Sequence, residues 1–195
     1  MPIPLILASS SPRRRLLLER AGYTFEVDPS RFEEPDPGPG TPVAEYVADL
    51  AWRKAREVAA RRGSGLILGA DTSCSAGGEI LNKPVDRADA ERMLRLQEGT
   101  DTEVVTGVCL YRADLDLWVG LADRNVCRCR TLADAEREAY LDSGLWEGKA
   151  GAYGLQDDDP FVSVVAGTWS SVVGLPVERL AAALRDFPRL TAASG

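Results

Sequence analysis

The chain of 195 residues sets 23 Lys and Arg against 30 Asp and Glu, a formal net charge of −7. That length suits one domain able to bury about 70% of its unfolded surface, and 45% hydrophobic with 27% charged residues is the composition of an ordinary globular protein. The acidic balance argues against a nucleic-acid polymer as partner. No apolar run reaches the roughly 20 residues of a membrane helix, and residues 1–8 are too short and uncharged for a signal peptide, so a cytoplasmic protein with no membrane partner is expected.

In chain order, 4–8 reads as a short buried strand and 12–20 as a helix, with Ser11 a natural N-cap and Pro12 a natural first residue. Residues 23–28 read as a second strand. The segment 31–40, holding Pro35, Pro37 and Pro39, must be an irregular loop, and it carries Glu33, Glu34 and Asp36. A long helix over 42–62 has Val43, Tyr46, Val47, Leu50, Ala51 and Val58 in one apolar stripe, with Lys54 inside it. Residues 66–70 predict another buried strand, with Asp71 and Thr72 at its carboxyl end, then a short strand over 79–81 and a helix over 86–96. Two longer strands, 102–111 and 117–130, are followed by a helix over 134–142, a strand over 161–165 and a last helix over 177–186. Helices interleaved with strands, two of them adjacent and antiparallel, predict a single α/β domain on a mixed sheet spanning 1–195.

Two absences narrow the chemistry. There is no histidine, which removes Ser-His-Asp and Cys-His hydrolases and imidazole metal sites. Cys74, Cys109, Cys127 and Cys129 include one C-x-C pair but nothing at zinc spacing, so free buried thiols are expected. A metal, if used, is a hard divalent cation on oxygen ligands, magnesium or manganese. Of the 23 cationic residues only Lys54, Lys83 and Lys149 are lysines. Where generic charge suffices this chain uses Arg, so the three lysines look chosen, as a compact ammonium suits a site that must reach a phosphate oxygen.

Ser9-Ser10-Ser11-Pro12-Arg13-Arg14-Arg15 breaks a local rule, because cations at a helix N-terminus oppose the macrodipole. Either the serines, free N–H groups and guanidinium forks form a phosphate nest, or this is a Ser-Pro cap with solvated arginines. The strand–loop–helix setting favours the nest, since ligands of α/β sheets sit beyond strand carboxyl ends. Taken singly, the other candidates have ordinary readings: a cap for Asp71, a solvated acid for Glu34, a snorkelling helix edge for Lys54 and a surface lysine for Lys83. Together they supply a cationic cradle and two carboxylates, the minimum for metal-assisted attack of water on a phosphoanhydride.

The ordered motifs Ser9-Ser10-Ser11-Pro12-Arg13-Arg14, Gly69-Ala70-Asp71-Thr72, Lys83-Pro84, Thr106-Gly107-Val108, Lys149-Ala150-Gly151-Ala152-Tyr153-Gly154-Leu155-Gln156 and Val173-Gly174-Leu175-Pro176 cover most of the chain, and the sequence resembles the Maf family. The resemblance implies a nucleoside triphosphate pyrophosphatase, long described as a septum formation inhibitor, on an elongated mixed sheet related to the inosine triphosphatases, with an active-site cleft. It implies that Asp71 accepts the proton of the attacking water and ligates a divalent metal with Glu34. Ser9, Ser11, Arg13, Arg14, Lys54 and Lys83 are implied to hold the triphosphate. Arg13, Thr72 and Gln156 match positions marking the branch that acts on dTTP and UTP, and the Gln156 amide offers the donor and acceptor a pyrimidine imide edge requires. A homodimer is expected on the same analogy. The chain departs from the family pattern at Asp157-Asp158-Asp159, where a Gly-containing turn is usual, at Asn82 before Lys83-Pro84, and at Glu103. The rival expectations are a non-catalytic nucleotide-binding regulator of cell division and a monophosphate phosphatase using the same cradle.

Overall fold

The computed structural model describes residues 3–38, 40–155 and 161–192. Among these, seven strands form one mixed sheet. The chain enters through β1 (Leu5–Leu7), α1 (Pro12–Arg20), β2 (Glu26–Val27) and the long helix α2 (Val43–Arg62). It continues through β3 (Leu66–Ala76), β4 (Glu79–Leu81), α3 (Arg87–Gln97), β5 (Asp101–Arg112), β6 (Leu117–Cys129) and α4 (Asp134–Asp142). A one-turn 3-10 segment (Ala150–Ala152), β7 (Val162–Ala166), α5 (Trp169–Val173) and α6 (Val177–Ala192) complete it. The strand order is β2-β1-β3-β5-β6-β7, with β4 on β3. The pairs β2-β1 and β1-β3 are parallel and the rest antiparallel.

The expected α/β mixed sheet is therefore present, with three local differences. The strand predicted over 23–28 pairs only at Glu26 and Val27. The five-residue α5, capped by the Thr168 side chain, has no counterpart in the predicted elements. The third difference decides where the site lies. Strand β3 does not end at Ala70: β5 pairs with it in one register from Leu66 to Ser75, so Asp71 and Thr72 stand in mid-strand rather than at a carboxyl end.

The opposite edge of β3 is shared. Strand β1 covers Leu66–Leu68 and β4 covers Cys74–Ala76. Because β5 takes one edge throughout, β1 and β4 must lie along the other, and residues 69–73 have no strand partner there among the described residues. This interval is where β1 gives way to the loop entering α1, a switch in connectivity of the kind that leaves a crevice in an open α/β sheet.

Helix α2 covers one face of the sheet through Val47, Leu50, Ala51, Ala55 and Val58, packed on Ile67, Val105, Cys109 and Tyr111. It approaches to backbone contact. A Cβ at Gly69 would fall 2.1 Å from the Ala51 carbonyl oxygen, and one at Gly107 would fall 2.3 Å from that of Val47. The other face buries Leu68, Ala70, Val108 and Leu110 against Leu17 and Leu18 of α1, Val173 of α5, and Leu180 and Phe187 of α6. Beyond the gap, Cys74, Leu81, Leu94, Tyr140 and Phe161 form a further core. Arg137 of α4, almost fully buried, holds Glu98 at the end of α3 through two bonds of 2.7 and 2.9 Å. The four cysteines are free and buried, as expected. Burial pushes the Cys109 and Cys127 thiols up to about 12.

Candidate active site

A cleft of about 640 Å³ opens at the unpaired interval of β3. Successive strand residues point to opposite faces, so Asp71 lies on the face covered by α2 and Thr72 on the face covered by α1 and α5. Each recruits its own cation. Lys54, buried in the apolar stripe of α2, places its Nζ 2.5 Å from Asp71 Oδ1 and 2.7 Å from Glu34 Oε1. The helix stem hides the methylenes, and the two carboxylates balance the ammonium where water is scarce. Partial burial pushes the Glu34 carboxyl up, but Lys54, then Lys83 and Arg14, pull it below its ordinary value. The Glu34 loop is itself anchored: the buried Tyr46 hydroxyl donates to the Pro35 carbonyl at 2.8 Å and accepts from Asn82 Nδ2 at 3.3 Å, while Asn82 Oδ1 accepts from Ser73.

On the other face, Ser11 caps α1 as expected, its side chain accepting from the Arg14 N–H. The three arginines of that first turn separate. Arg15 pairs with Glu19 on the surface. Arg13 reaches across to the Gly148 carbonyl at 3.3 Å. Arg14 is tied by Nε to the Gly174 carbonyl (3.0 Å), by one terminal nitrogen to Ser9 Oγ (3.1 Å) and by the other to Thr72 Oγ1 (3.2 Å). A guanidinium has five N–H groups, so two remain beyond these bonds. Burial lowers the affinity of Arg14 for its proton and the charge of Asp71 raises it. Ser9 Oγ accepts from both the Ser11 N–H (3.2 Å) and Arg14, filling its two lone pairs and leaving its single proton for another acceptor.

The structure thus gathers Ser9, Ser11, Arg13, Arg14, Glu34, Lys54, Asp71, Thr72 and Lys83 around one cleft, with Lys83 exposed at its rim. Gln156 and the Asp157-Asp158-Asp159 run lie outside the described residues. Lys149, singled out in the sequence with the other two lysines but given no role in the site, is buried and lines the same cleft, so all three lysines of the chain meet there. Their scarcity was the signal. The turn that carries Lys149 has left-handed backbone at Gly151 (φ 67°) and at Ala152 (φ 62°), a conformation a non-glycine residue rarely holds. Gly151 donates its N–H to the Asn82 carbonyl and accepts from Gln97, and the Ala152 carbonyl accepts from Tyr140. Among the described residues, no three Asp, Glu, Cys or His side chains gather as a metal cage. Glu34 and Asp71 supply two adjacent carboxylates, the donor set that suits a divalent cation completed by phosphate oxygens.

Paired carboxylates facing a cationic cradle, set where the sheet changes partners, define an α/β protein built to hold a phosphorylated anion. The family model described as Maf-like protein matches residues 4–187. The chain belongs to that family. It is 46% identical over 188 residues to a dTTP/UTP pyrophosphatase of Rhodopirellula baltica, covering 95% of this chain and 83% of the relative. Proteins of the same name from Salinibacter ruber and Ruminiclostridium cellulolyticum are 45% and 42% identical, covering 98% and 90% of this chain and 95% and 92% of theirs.

Proposed function

We propose that this protein hydrolyses dTTP and UTP between the α and β phosphates, adding water to release the nucleoside monophosphate and pyrophosphate. The observation that carries this reading is the division of labour about β3, with a carboxylate, Asp71, on one face and an arginine, Arg14, on the other, both opening on the same gap. Asp71, held in place by the Lys54 ammonium, accepts the proton of the attacking water. Arg13, Arg14, Lys83 and the Ser9 hydroxyl bind the triphosphate chain and offset the charge that builds on the departing pyrophosphate. Glu34 and Asp71 are the residues that would hold a magnesium or manganese ion, which when bound neutralises phosphate charge and polarises the reacting oxygens. The names of the relatives support the pyrimidine preference, and the Gln156 amide has the chemistry to read a pyrimidine edge.

The test is to incubate the pure protein with magnesium or manganese and a panel of triphosphates, resolving pyrophosphate from orthophosphate. Pyrophosphate from dTTP and UTP is the expected outcome. Orthophosphate release would point to a phosphatase, and binding without turnover to a nucleotide sensor; either overturns the proposal.

A further inference from the structure

Thr106 and Thr72 stand opposite each other on β5 and β3, on the face away from Asp71. Their hydroxyl oxygens are 2.9 Å apart, and Thr106 Oγ1 is 2.7 Å from the Ser171 carbonyl oxygen, which can only accept. A hydroxyl has one proton. The Thr106 proton therefore goes to Ser171, and Thr106 can serve Thr72 only as an acceptor. Thr72 must then spend its own proton on Thr106, which leaves its oxygen to accept from Arg14 at 3.2 Å. The polarity of the whole chain is fixed: Arg14 donates to Thr72, Thr72 to Thr106, and Thr106 to the backbone of α5.

The far end of this chain is itself held. Asn125 on β6 donates its amide to Ser171 Oγ at 2.9 Å and accepts from the Thr168 N–H at 3.0 Å, fixing the helix whose carbonyl terminates the relay. Thr106 is fully buried. It does not itself line the cleft, yet by taking the Thr72 proton its hydroxyl fixes the orientation in which Thr72 accepts from Arg14.

We propose that Thr106 is a positioning residue for the phosphate-binding Arg14, acting through Thr72. This rests on the proposed pyrophosphatase function and assigns within it a residue outside the cleft. With a directed acceptor, the Arg14 fork keeps two terminal N–H groups aimed at substrate without having to be ordered on binding.

Thr106→Val keeps the shape and removes the hydroxyl; Thr106→Ser keeps the hydroxyl. Thr106→Val is expected to raise the KM for dTTP and the inhibition constant of inorganic pyrophosphate by one common factor of roughly 10 or more, the scale of one lost hydrogen bond to a charged group. Thr106→Ser should stay within a few-fold of wild type, which a packing role would not produce. In an Arg14→Ala background, Thr106→Val should have almost no further effect. Full effects of Thr106→Val with Arg14 absent, or equal losses in the Val and Ser variants, would each overturn the relay. A wild type that neither hydrolyses triphosphates nor binds pyrophosphate overturns the proposed function first, and with it any role for positioning.

Discussion

Gly107 lies directly across from Asp71 in the β3-β5 register, on the face against which α2 packs. A Cβ there would meet the Val47 carbonyl oxygen at 2.3 Å and the Ala48 nitrogen at 2.8 Å, both backbone atoms of α2 that cannot swing aside. The missing side chain lets α2 settle close enough for Lys54, two turns further along, to reach Asp71. Gly107→Ala is therefore expected to force the helix outward, costing about 1–3 kcal/mol or more in denaturant unfolding and weakening turnover with it. Gly22, with φ 79° and open space around its Cβ position, is the contrast. Gly22→Ala should cost about 1–2 kcal/mol from left-handed backbone strain alone and leave turnover intact. Equal losses of turnover in the two variants would show that the approach of α2 is not what sets the site.

Asp71→Asn keeps the size of the side chain but replaces a proton acceptor by an amide. Pyrophosphate release should fall by more than about 100-fold, within the 10² to 10⁴ range for a lost general base. The fold should survive, because Asp71 stays within a strand paired on β5. Circular dichroism and pyrophosphate release on the same sample check both halves, and near-wild-type turnover would remove Asp71 from the chemistry.

Much of this arrangement can be read in the sequence, and what cannot has identifiable causes. The apolar stripe of α2 includes Lys54 because a lysine stem can lie in an apolar row, and Ser11 with Pro12 announces the start of α1. Asp71 looks like a strand end because polar residues follow the buried run 66–70. It is in fact mid-strand, since β5 supplies a partner far along the chain that local pattern does not reveal. Helix α5 is a single short turn between Gly167 and Gly174, too brief to show a period. Tyr46, Asn82 and Thr106 act through hydrogen bonds to residues 11, 36 and 34 positions away, which spacing cannot express.

The Glu34–Lys54 pair gives stability a defined dependence on pH. The Glu34 carboxyl lies below its ordinary value of 4.5 in the folded protein, so the unfolded chain binds the proton more readily. The contribution is fully present above 4.5 and is lost as pH falls from there through the lower folded value. Urea unfolding of wild type should weaken more steeply below 4.5 than that of Glu34→Gln, with a constant difference between the two at higher pH. Parallel curves across the acid range would mean that Glu34 makes no pair with Lys54 in solution.

Tyr46 separates holding Glu34 from charging it. Its hydroxyl donates to the Pro35 carbonyl and takes a bond from Asn82, so one atom ties the Glu34 loop to α2 and to the end of β4. Burial, with the nearby Asp71 and Glu34 charges, raises the phenol above its ordinary value, so it remains a donor at neutral pH. Tyr46→Phe removes that bond and leaves the ring, which packs with Val47 and Leu50. Stability should fall by only about 0.5–1.5 kcal/mol, as for one hydrogen bond. The kcat/KM for dTTP should fall several-fold, because Glu34 is then held by Lys54 alone. Glu34→Gln in the same background should add little to that loss if the phenol works by placing Glu34. Independent, multiplying losses would instead give Tyr46 a role of its own in the cleft.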